Sequence, residues 1–184
     1  MTFRIAPVET STTSGTVRQQ LDGFQAKLGT VPAMMRTMAT SPAVLDAYVA
    51  LSGALGRGTL GGKLGELVAT TVAETNGCHY CLAAHAAIGG LLGVKADALH
   101  DARTAQPADP RTAAALRFAA RLTETRGHVT DADVAAVRAA GFTDGQIGEL
   151  VGHVALNIFT NYFNLTAGTV PDFPVPAPLA EVAA

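Results

Sequence analysis

The sequence predicts an all-α protein that folds as a single-domain helical bundle, and three observations support this. Apolar residues recur at spacings of three and four, the period of a helix, as in Val17, Leu21, Phe24 and Leu28. The alternation of apolar and polar residues that is typical of strands is almost absent. The 184 residues suffice for one substantial core and are too few for two comfortable domains.

The first third of the chain contains an arm and three helices. Residues 1–14 are rich in Thr and Ser without periodicity, which predicts an extended N-terminal arm. The first helix ends at Gly29, since glycine favours the left-handed conformation that closes helices. Pro32 opens a short second helix, and Ser41-Pro42 starts a third, because proline is well tolerated in a first helical turn. The third helix stops in the glycine-rich stretch 53–62.

The middle of the chain contains three further helices. The fourth carries apolar residues over 64–72 and ends at Asn76-Gly77, a pair suited to a helix end. The fifth begins at Cys78 and reaches Leu92-Gly93, and a shorter helix follows over about 95–102.

Three capping signals start the remaining helices. Asp109-Pro110 supplies an N-cap followed by proline, and the segments that begin at Thr130 and Thr143 resemble capping boxes. Four prolines occur within nine residues of the tail, which predicts a second extended arm over 170–184. The helical domain is therefore expected to span residues 15–169.

The last helix carries two stripes of different character. One stripe is apolar and is expected to face the core; it contains Ile147, Leu150, Val151, Val154, Ile158, Tyr162 and Leu165. The other stripe is polar and contains Asn157, Asn161 and Asn164. Such a stripe indicates bonded pairs across a subunit contact, or equally simple exposure to solvent.

Composition and charge limit the possible functions. Hydrophobic residues make up 48% of the chain and charged residues only 15%, so we expect part of the surface to be buried in a homo-oligomer. The net charge of −2 excludes the electrostatic footprint of a nucleic-acid partner. Charged residues and glycines interrupt every apolar stretch well before the length of a membrane span, and the N-terminal segment has no apolar signal region. We therefore expect a cytoplasmic protein without a membrane partner.

The chemistry of the chain is concentrated in the segment from Asn76 to His85. This segment contains both cysteines, Cys78 and Cys81, with His85 four residues after the second. Two thiols at positions i and i+3 of a helix can close a disulfide, and the positive end of the helix stabilises a thiolate near its start. His85 lies one turn after Cys81 on the same face, where an imidazole can take the thiol proton.

The two cysteines have three other possible interpretations. A structural zinc site needs four ligands, usually two separated pairs, and only one cysteine pair exists here, so no metal is expected. A thioredoxin-like domain requires a βαβ frame that this chain lacks. Two buried cysteines can also share a core by coincidence, because free cysteines favour interiors.

Glu66 lies upstream of the cysteines, near the start of its helix. A carboxylate at that position commonly serves only as a partner of the helix dipole. Its face carries the small residues Ala69, Thr70 and Ala73, which let another helix approach closely. We therefore expect this carboxylate to be buried beside the helix that carries the cysteines.

The segments 63–67 and 76–85 together resemble the core of the alkylhydroperoxidase D and carboxymuconolactone decarboxylase superfamily. The run 143–166 is similar to the last long helix of that family, so the resemblance covers roughly residues 20–170. It implies an all-helical fold that forms trimers, dimers or hexamers. In members with two cysteines at this spacing, it implies thiol peroxidase or disulfide reductase activity.

The resemblance also implies a role for each site residue. Cys81 corresponds to the cysteine that attacks the hydroperoxide, and Cys78 corresponds to the one that resolves the intermediate. His85 acts as the base and Glu66 supports it. The substrates implied are a hydroperoxide and a dithiol reductant, with no cofactor.

One position departs from the best-known peroxidase of the family, which has a histidine directly before the second cysteine. Tyr80 occupies that position here, and His79 lies about 100° away around the helix, so it does not replace the missing histidine. Tyr80 is interpreted as a wall of the substrate pocket or as a hydrogen-bond donor to the reacting oxygen. His79 and His153 are interpreted as surface or satisfied core residues.

Two alternative functions are also compatible with the sequence. A redox-sensing oligomer would use the same disulfide to change helix packing without turnover. A carboxymuconolactone decarboxylase-like enzyme is the other alternative, although decarboxylase members of the superfamily lack the cysteine pair.

Overall fold

The computed structural model describes residues 2–179, and within them the chain is all-helical, as predicted. In this described part of the chain, a 3₁₀ turn at Thr10–Thr12 precedes nine α-helices. Their bounds are α1 Gly15–Leu28, α2 Ala33–Met38, α3 Pro42–Leu55, α4 Gly62–Thr75, α5 His79–Leu91, α6 Ala96–Arg103, α7 Pro110–Glu124, α8 Asp131–Ala139 and α9 Asp144–Ala167. None of the described helices is long and apolar enough to cross a membrane.

The helix ends follow the capping chemistry of the sequence. The side chains of Asp109, Thr130 and Thr143 accept hydrogen bonds from backbone N–H groups in the first turns of α7, α8 and α9. Both capping boxes are complete, with the N3 side chain bonded back to the cap. Gly29 ends α1 at a φ of 73°, in the left-handed region that favours glycine.

Helix α4 is the centre of the bundle and packs against α5, α6, α7 and α9. One side of it belongs to a core formed mainly with α7 and α9, which includes Val68, Val72, Leu116 and Leu150. Its Ala73 belongs to a second core that is formed with α1, α2, α3 and α5 and contains both cysteines. The cysteine-bearing helix therefore lies on one side of α4, and the larger apolar core lies on the other.

The segments before α1 and after α9 pack onto the bundle. Arg4 lies at the C-terminal end of α9, where its backbone N–H and its guanidinium donate to the carbonyl oxygens of Leu165, Thr166 and Ala167. A cation there complements the unpaired carbonyls and the negative end of the helix dipole. After α9 the chain continues without helix to residue 179, and part of the predicted arm, 180–184, lies outside the described residues, as does Met1.

The two stripes of α9 differ from the prediction. Tyr162 is 56% exposed, and Val151 and Leu165 are exposed too, so the outer part of the apolar stripe does not face the core. The asparagine stripe is buried instead, with Asn161 fully covered, and its side chains bond within the chain. Both expectations for this stripe, a subunit contact and solvent exposure, are therefore wrong.

Candidate active site

The two cysteines lie at the start of α5, where a tight turn leads out of α4. Gly77 adopts a φ of 64°, and the Cys78 N–H donates to the carbonyl of Ala73 at 2.9 Å. Cys78 is the N-cap residue of α5, and its sulfur accepts the N–H of Cys81 at 3.3 Å. The two residues are joined by a disulfide, with their Cα atoms 5.3 Å apart, and both are buried.

A carboxylate–imidazole pair lies next to the disulfide. The Glu66 Oε2 atom on α4 is 2.8 Å from the His85 Nδ1 atom on α5, and each side chain is only 18% exposed. Because the carboxylate accepts, Nδ1 carries the hydrogen, and in the neutral form of the ring the free lone pair is then at Nε2. The structure thus brings together Glu66 and His85, which are 19 positions apart in the sequence.

Cys81, Glu66 and His85 line the same cavity, which has a volume of about 240 Å³. Most of its wall is apolar, and the lining comes from six helices and the C-terminal segment, including Phe24, Leu28, Met34, Ala69, Ile88, Leu156 and Phe173. A cavity of this character accommodates a small organic molecule with its apolar part against the wall.

Cys78 lines a different cavity on the other side of the disulfide. This second cavity has a volume of about 340 Å³, and its wall includes Arg4, His79 and Gly168. Neither Glu66 nor His85 reaches it. The two sulfurs are therefore adjacent to two different spaces, and only the space beside Cys81 contains the carboxylate–imidazole pair.

Tyr80 contributes its ring to the cavity wall, while its hydroxyl is bonded on the far side. The hydroxyl donates to Asp172 Oδ2 at 2.9 Å and accepts the Met34 N–H at 3.1 Å. Burial is the largest cause that raises the pKa of Tyr80, and the Asp172 charge adds to it, so the hydroxyl stays protonated at neutral pH. Of its two predicted roles, only the pocket wall fits this bonding.

Two cavity residues received no role in the site from the sequence: Tyr48, and His153, which was interpreted as a surface or satisfied core residue. His153 on α9 approaches α4 closely, because its ring packs where Gly65 has no side chain. Burial lowers the pKa of His153, and the charges of Glu149 and Glu66 only partly oppose this. Tyr48 on α3 also lines the cavity; burial first and the Glu66 charge second raise the pKa of Tyr48 to about 12.

Asn164 on α9 is the third such residue, and it contacts the sulfur of Cys81. Its Nδ2 atom lies 3.4 Å from Cys81 Sγ and 2.9 Å from Met34 Sδ. The regular spacing of Asn157, Asn161 and Asn164 was a signal in the sequence, but it did not reveal which neighbours the stripe faces.

A metal centre has no support in the described part of the chain. Among residues 2–179, no group of three or more His, Cys, Asp or Glu side chains could hold a metal ion. His100 and His128 are exposed, and His79 is exposed beside the second cavity.

Residues 42–125 match the model of the carboxymuconolactone decarboxylase family. A peroxidase-related protein from Ralstonia eutropha JMP134 with an alkylhydroperoxidase AhpD core is 27% identical, with a TM-score of 0.84 over 93% of this chain and 94% of that chain. A peroxidase-related protein from Silicibacter sp. TM1040 is 24% identical, with a TM-score of 0.80 over 92% of this chain and 93% of that chain.

A third similar structure is a cysteine-to-alanine variant of the debrominase Bmp8 in complex with 2,3,4-tribromopyrrole. It is 19% identical, with a TM-score of 0.81 over 94% of this chain and 93% of that chain. No curated protein matches the chain. The family match over residues 42–125 and the shared fold confirm the resemblance predicted from the sequence: this part of the chain is similar to the carboxymuconolactone decarboxylase family, and the fold is similar to structures with an alkylhydroperoxidase AhpD core.

Proposed function

We propose that this protein is a thiol-dependent peroxidase that reduces an organic hydroperoxide through Cys81 and Cys78. The observation that carries the proposal is the position of Cys81 in an apolar cavity together with a bonded Glu66–His85 pair. A thiol needs to be ionised to attack a peroxide, and a nearby neutral imidazole takes its proton. The dithiol at the start of α5 supplies the two electrons that the reaction consumes.

The first half of the reaction oxidises Cys81. With Nδ1 held by Glu66, His85 Nε2 accepts the thiol proton of Cys81. The thiolate attacks the distal peroxide oxygen, an S–O bond forms and the O–O bond breaks. The alcohol leaves with a proton returned from His85, and Cys81 becomes a sulfenic acid. The peroxide gains two electrons and the sulfur loses two.

The second half closes the disulfide. The Cys78 thiol attacks the sulfenic sulfur of Cys81, the S–O bond breaks, and water leaves with the thiol proton. The product is the Cys78–Cys81 disulfide present in this structure. An external dithiol then restores both thiols by exchange and is itself oxidised.

The test is a steady-state assay of hydroperoxide consumption with a dithiol donor. The wild type is expected to turn over many times, and Cys81→Ser is expected to consume no peroxide above the uncatalysed rate. Equal turnover in Cys81→Ser would contradict the proposal. Oxidation that stops after one equivalent, with every dithiol tried, would favour the redox-sensing oligomer instead.

A second candidate is reductive debromination of an aromatic compound, favoured by the apolar cavity wall and by the fold shared with the debrominase. The carbon–bromine bond would break, the carbon would gain a proton, and bromide would leave as the two thiols become a disulfide. Release of bromide from a brominated pyrrole, dependent on Cys81, distinguishes this reaction from peroxide reduction. A decarboxylase-like reaction would proceed without any dithiol.

A further inference from the structure

The side-chain amide of Asn164 contacts the sulfur to which we assign the chemistry. Asn164 is buried on the inner face of α9, near the end of that helix. Its Nδ2 atom is within hydrogen-bond distance of Cys81 Sγ, at 3.4 Å, and of Met34 Sδ, at 2.9 Å. No other side-chain donor in the described residues bonds to the Cys81 sulfur.

The two sulfurs fix which end of the amide faces them. A thioether or a disulfide sulfur only accepts hydrogen bonds, and an amide offers N–H groups only at its nitrogen end. The nitrogen therefore points to Met34 and Cys81, and the oxygen points away. Asn164 Oδ1 is buried and has no hydrogen-bond partner within the described residues.

Reduction of the disulfide strengthens this contact. A thiolate carries a full negative charge, and hydrogen bonds to a charged acceptor are roughly twice as strong as neutral ones. The donor lies on α9, a different helix from the one that carries the cysteines. The bond from Asn164 Nδ2 to Met34 Sδ keeps the nitrogen end of the amide in place. The donor is thus positioned before the charge develops, which is the arrangement that favours a charged intermediate.

We propose that Asn164 is a catalytic residue of the thiol site, which donates an N–H bond to the Cys81 thiolate. The proposal rests on the proposed function for the identity of the reaction. Asn164 exchanges no proton: His85 receives the thiol hydrogen and returns it to the alcohol. The S–OH hydrogen comes with the transferred hydroxyl of the hydroperoxide and leaves in the water when Cys78 displaces that hydroxyl.

The test measures the ionisation of Cys81 directly, in a Cys78→Ser background that leaves one thiol. The rate of alkylation by iodoacetamide is recorded against pH, because only the thiolate reacts. Asn164→Leu removes the donor and is expected to raise the apparent pKa of Cys81 by about one unit. Asn164→Asp keeps the shape but places a like charge beside the sulfur, and is expected to raise it further.

Asn161→Leu is the matched control. Asn161 is a buried amide three positions earlier on the same helix, and it bonds to Asn76 rather than to a sulfur. Thermal unfolding of all variants is recorded beside the alkylation profiles. Loss of stability without a shift of the profile is expected for Asn161→Leu, whereas both Asn164 variants are expected to shift it.

Two outcomes would overturn the proposal. One is an unchanged alkylation profile in Asn164→Asp and Asn164→Leu, and the other is an equal shift in Asn161→Leu, which would assign the effect to α9 packing. If Asn164→Leu does not fold, Asn164→Asp decides alone. Because alkylation needs no peroxide, the result is independent of turnover: a shifted profile in a protein that reduces no peroxide would reject the proposed function and keep the role of Asn164.

Discussion

The two sulfur atoms of the disulfide lie on one turn of one helix, yet their surroundings differ. Beside Cys81 lies an apolar cavity that contains Glu66 and His85. Beside Cys78 lies a space bounded by the N-terminal segment and the end of α9, with Arg4 bound to carbonyl oxygens there. Helix geometry alone places two cysteines at the positive end of a dipole, and the helices packed around them give the two sulfurs different surroundings.

Under the proposed function, this difference assigns the attack on the substrate to Cys81 and the closure of the disulfide to Cys78. It also shows which helices supply the polar groups beside Cys81 that Cys78 lacks. The base comes from α5, its carboxylate from α4, and the amide from α9.

His85→Ala tests the largest difference between the two sides. Without its base, Cys81 should react with hydroperoxide about 100-fold more slowly near neutral pH. Partial recovery is expected at higher pH, because the thiolate then forms unaided. Stopped-flow measurement of the oxidation rate against pH checks both effects. His100→Ala, which removes an exposed histidine far from the disulfide in sequence, should leave the rate unchanged.

Glu66→Gln acts on the same side but through His85. The amide keeps a hydrogen bond to Nδ1 and loses the charge, so the rate should fall by only about tenfold. The same stopped-flow assay measures it. A loss as large as that of His85→Ala would show that Glu66 acts directly on the substrate or the sulfur and not as the partner of the imidazole.

Tyr80→Phe tests whether the residue between the cysteines is structural. The hydroxyl bridges the Met34 N–H and the Asp172 carboxylate, so its loss should lower the free energy of unfolding by about 1–2 kcal/mol. Urea unfolding measures the change. Tyr162→Phe, in an exposed ring, is the control and should have little effect. A rate of peroxide reduction that collapses while stability holds would make Tyr80 a donor to the reacting oxygen after all.

Substitution of His153 should have the smallest effect, which should appear in the pH dependence of the free energy of unfolding. Burial lowers its pKa below the ordinary value of 6.5, so the folded state binds fewer protons than the unfolded state at mildly acidic pH. The stability that the neutral imidazole contributes should be complete above pH 6.5 and fall as the pH drops below that value. His153→Gln should flatten that part of the slope in urea unfolding at a series of pH values. An unchanged slope would contradict the burial of this imidazole.

The sequence predicted most of the fold because its signals are local. The side chains of Asp109, Thr130 and Thr143 cap N–H groups within three residues of themselves, and such caps are visible in any short window. The spacing of Cys78, Cys81 and His85 within α5 was visible for the same reason, as was the small-residue face of α4 on which Glu66 lies.

The stripes of α9 show what a single sequence does not contain. Periodicity places Asn164 and Leu165 on different faces, but it does not say which face meets the protein interior. Asn164 bonds to Met34 and to Cys81, and these partners make the inner position favourable for it. They lie 130 and 83 positions away in the sequence. Buried polar groups persist where hydrogen bonds satisfy them, and those bonds are properties of the assembled bundle.

The most direct test of the asymmetry between the sulfurs is to trap the sulfenic acid in the two single-cysteine variants. After one equivalent of hydroperoxide, a dimedone-type reagent followed by mass spectrometry locates the oxidised residue. Cys78→Ser should carry the label on Cys81, formed at a rate close to that of the wild type, because only the resolving thiol is lost. Cys81→Ser should carry almost none. A label that forms on Cys78 in the Cys81→Ser variant at the wild-type rate would contradict the account and exchange the tasks of the two sulfurs.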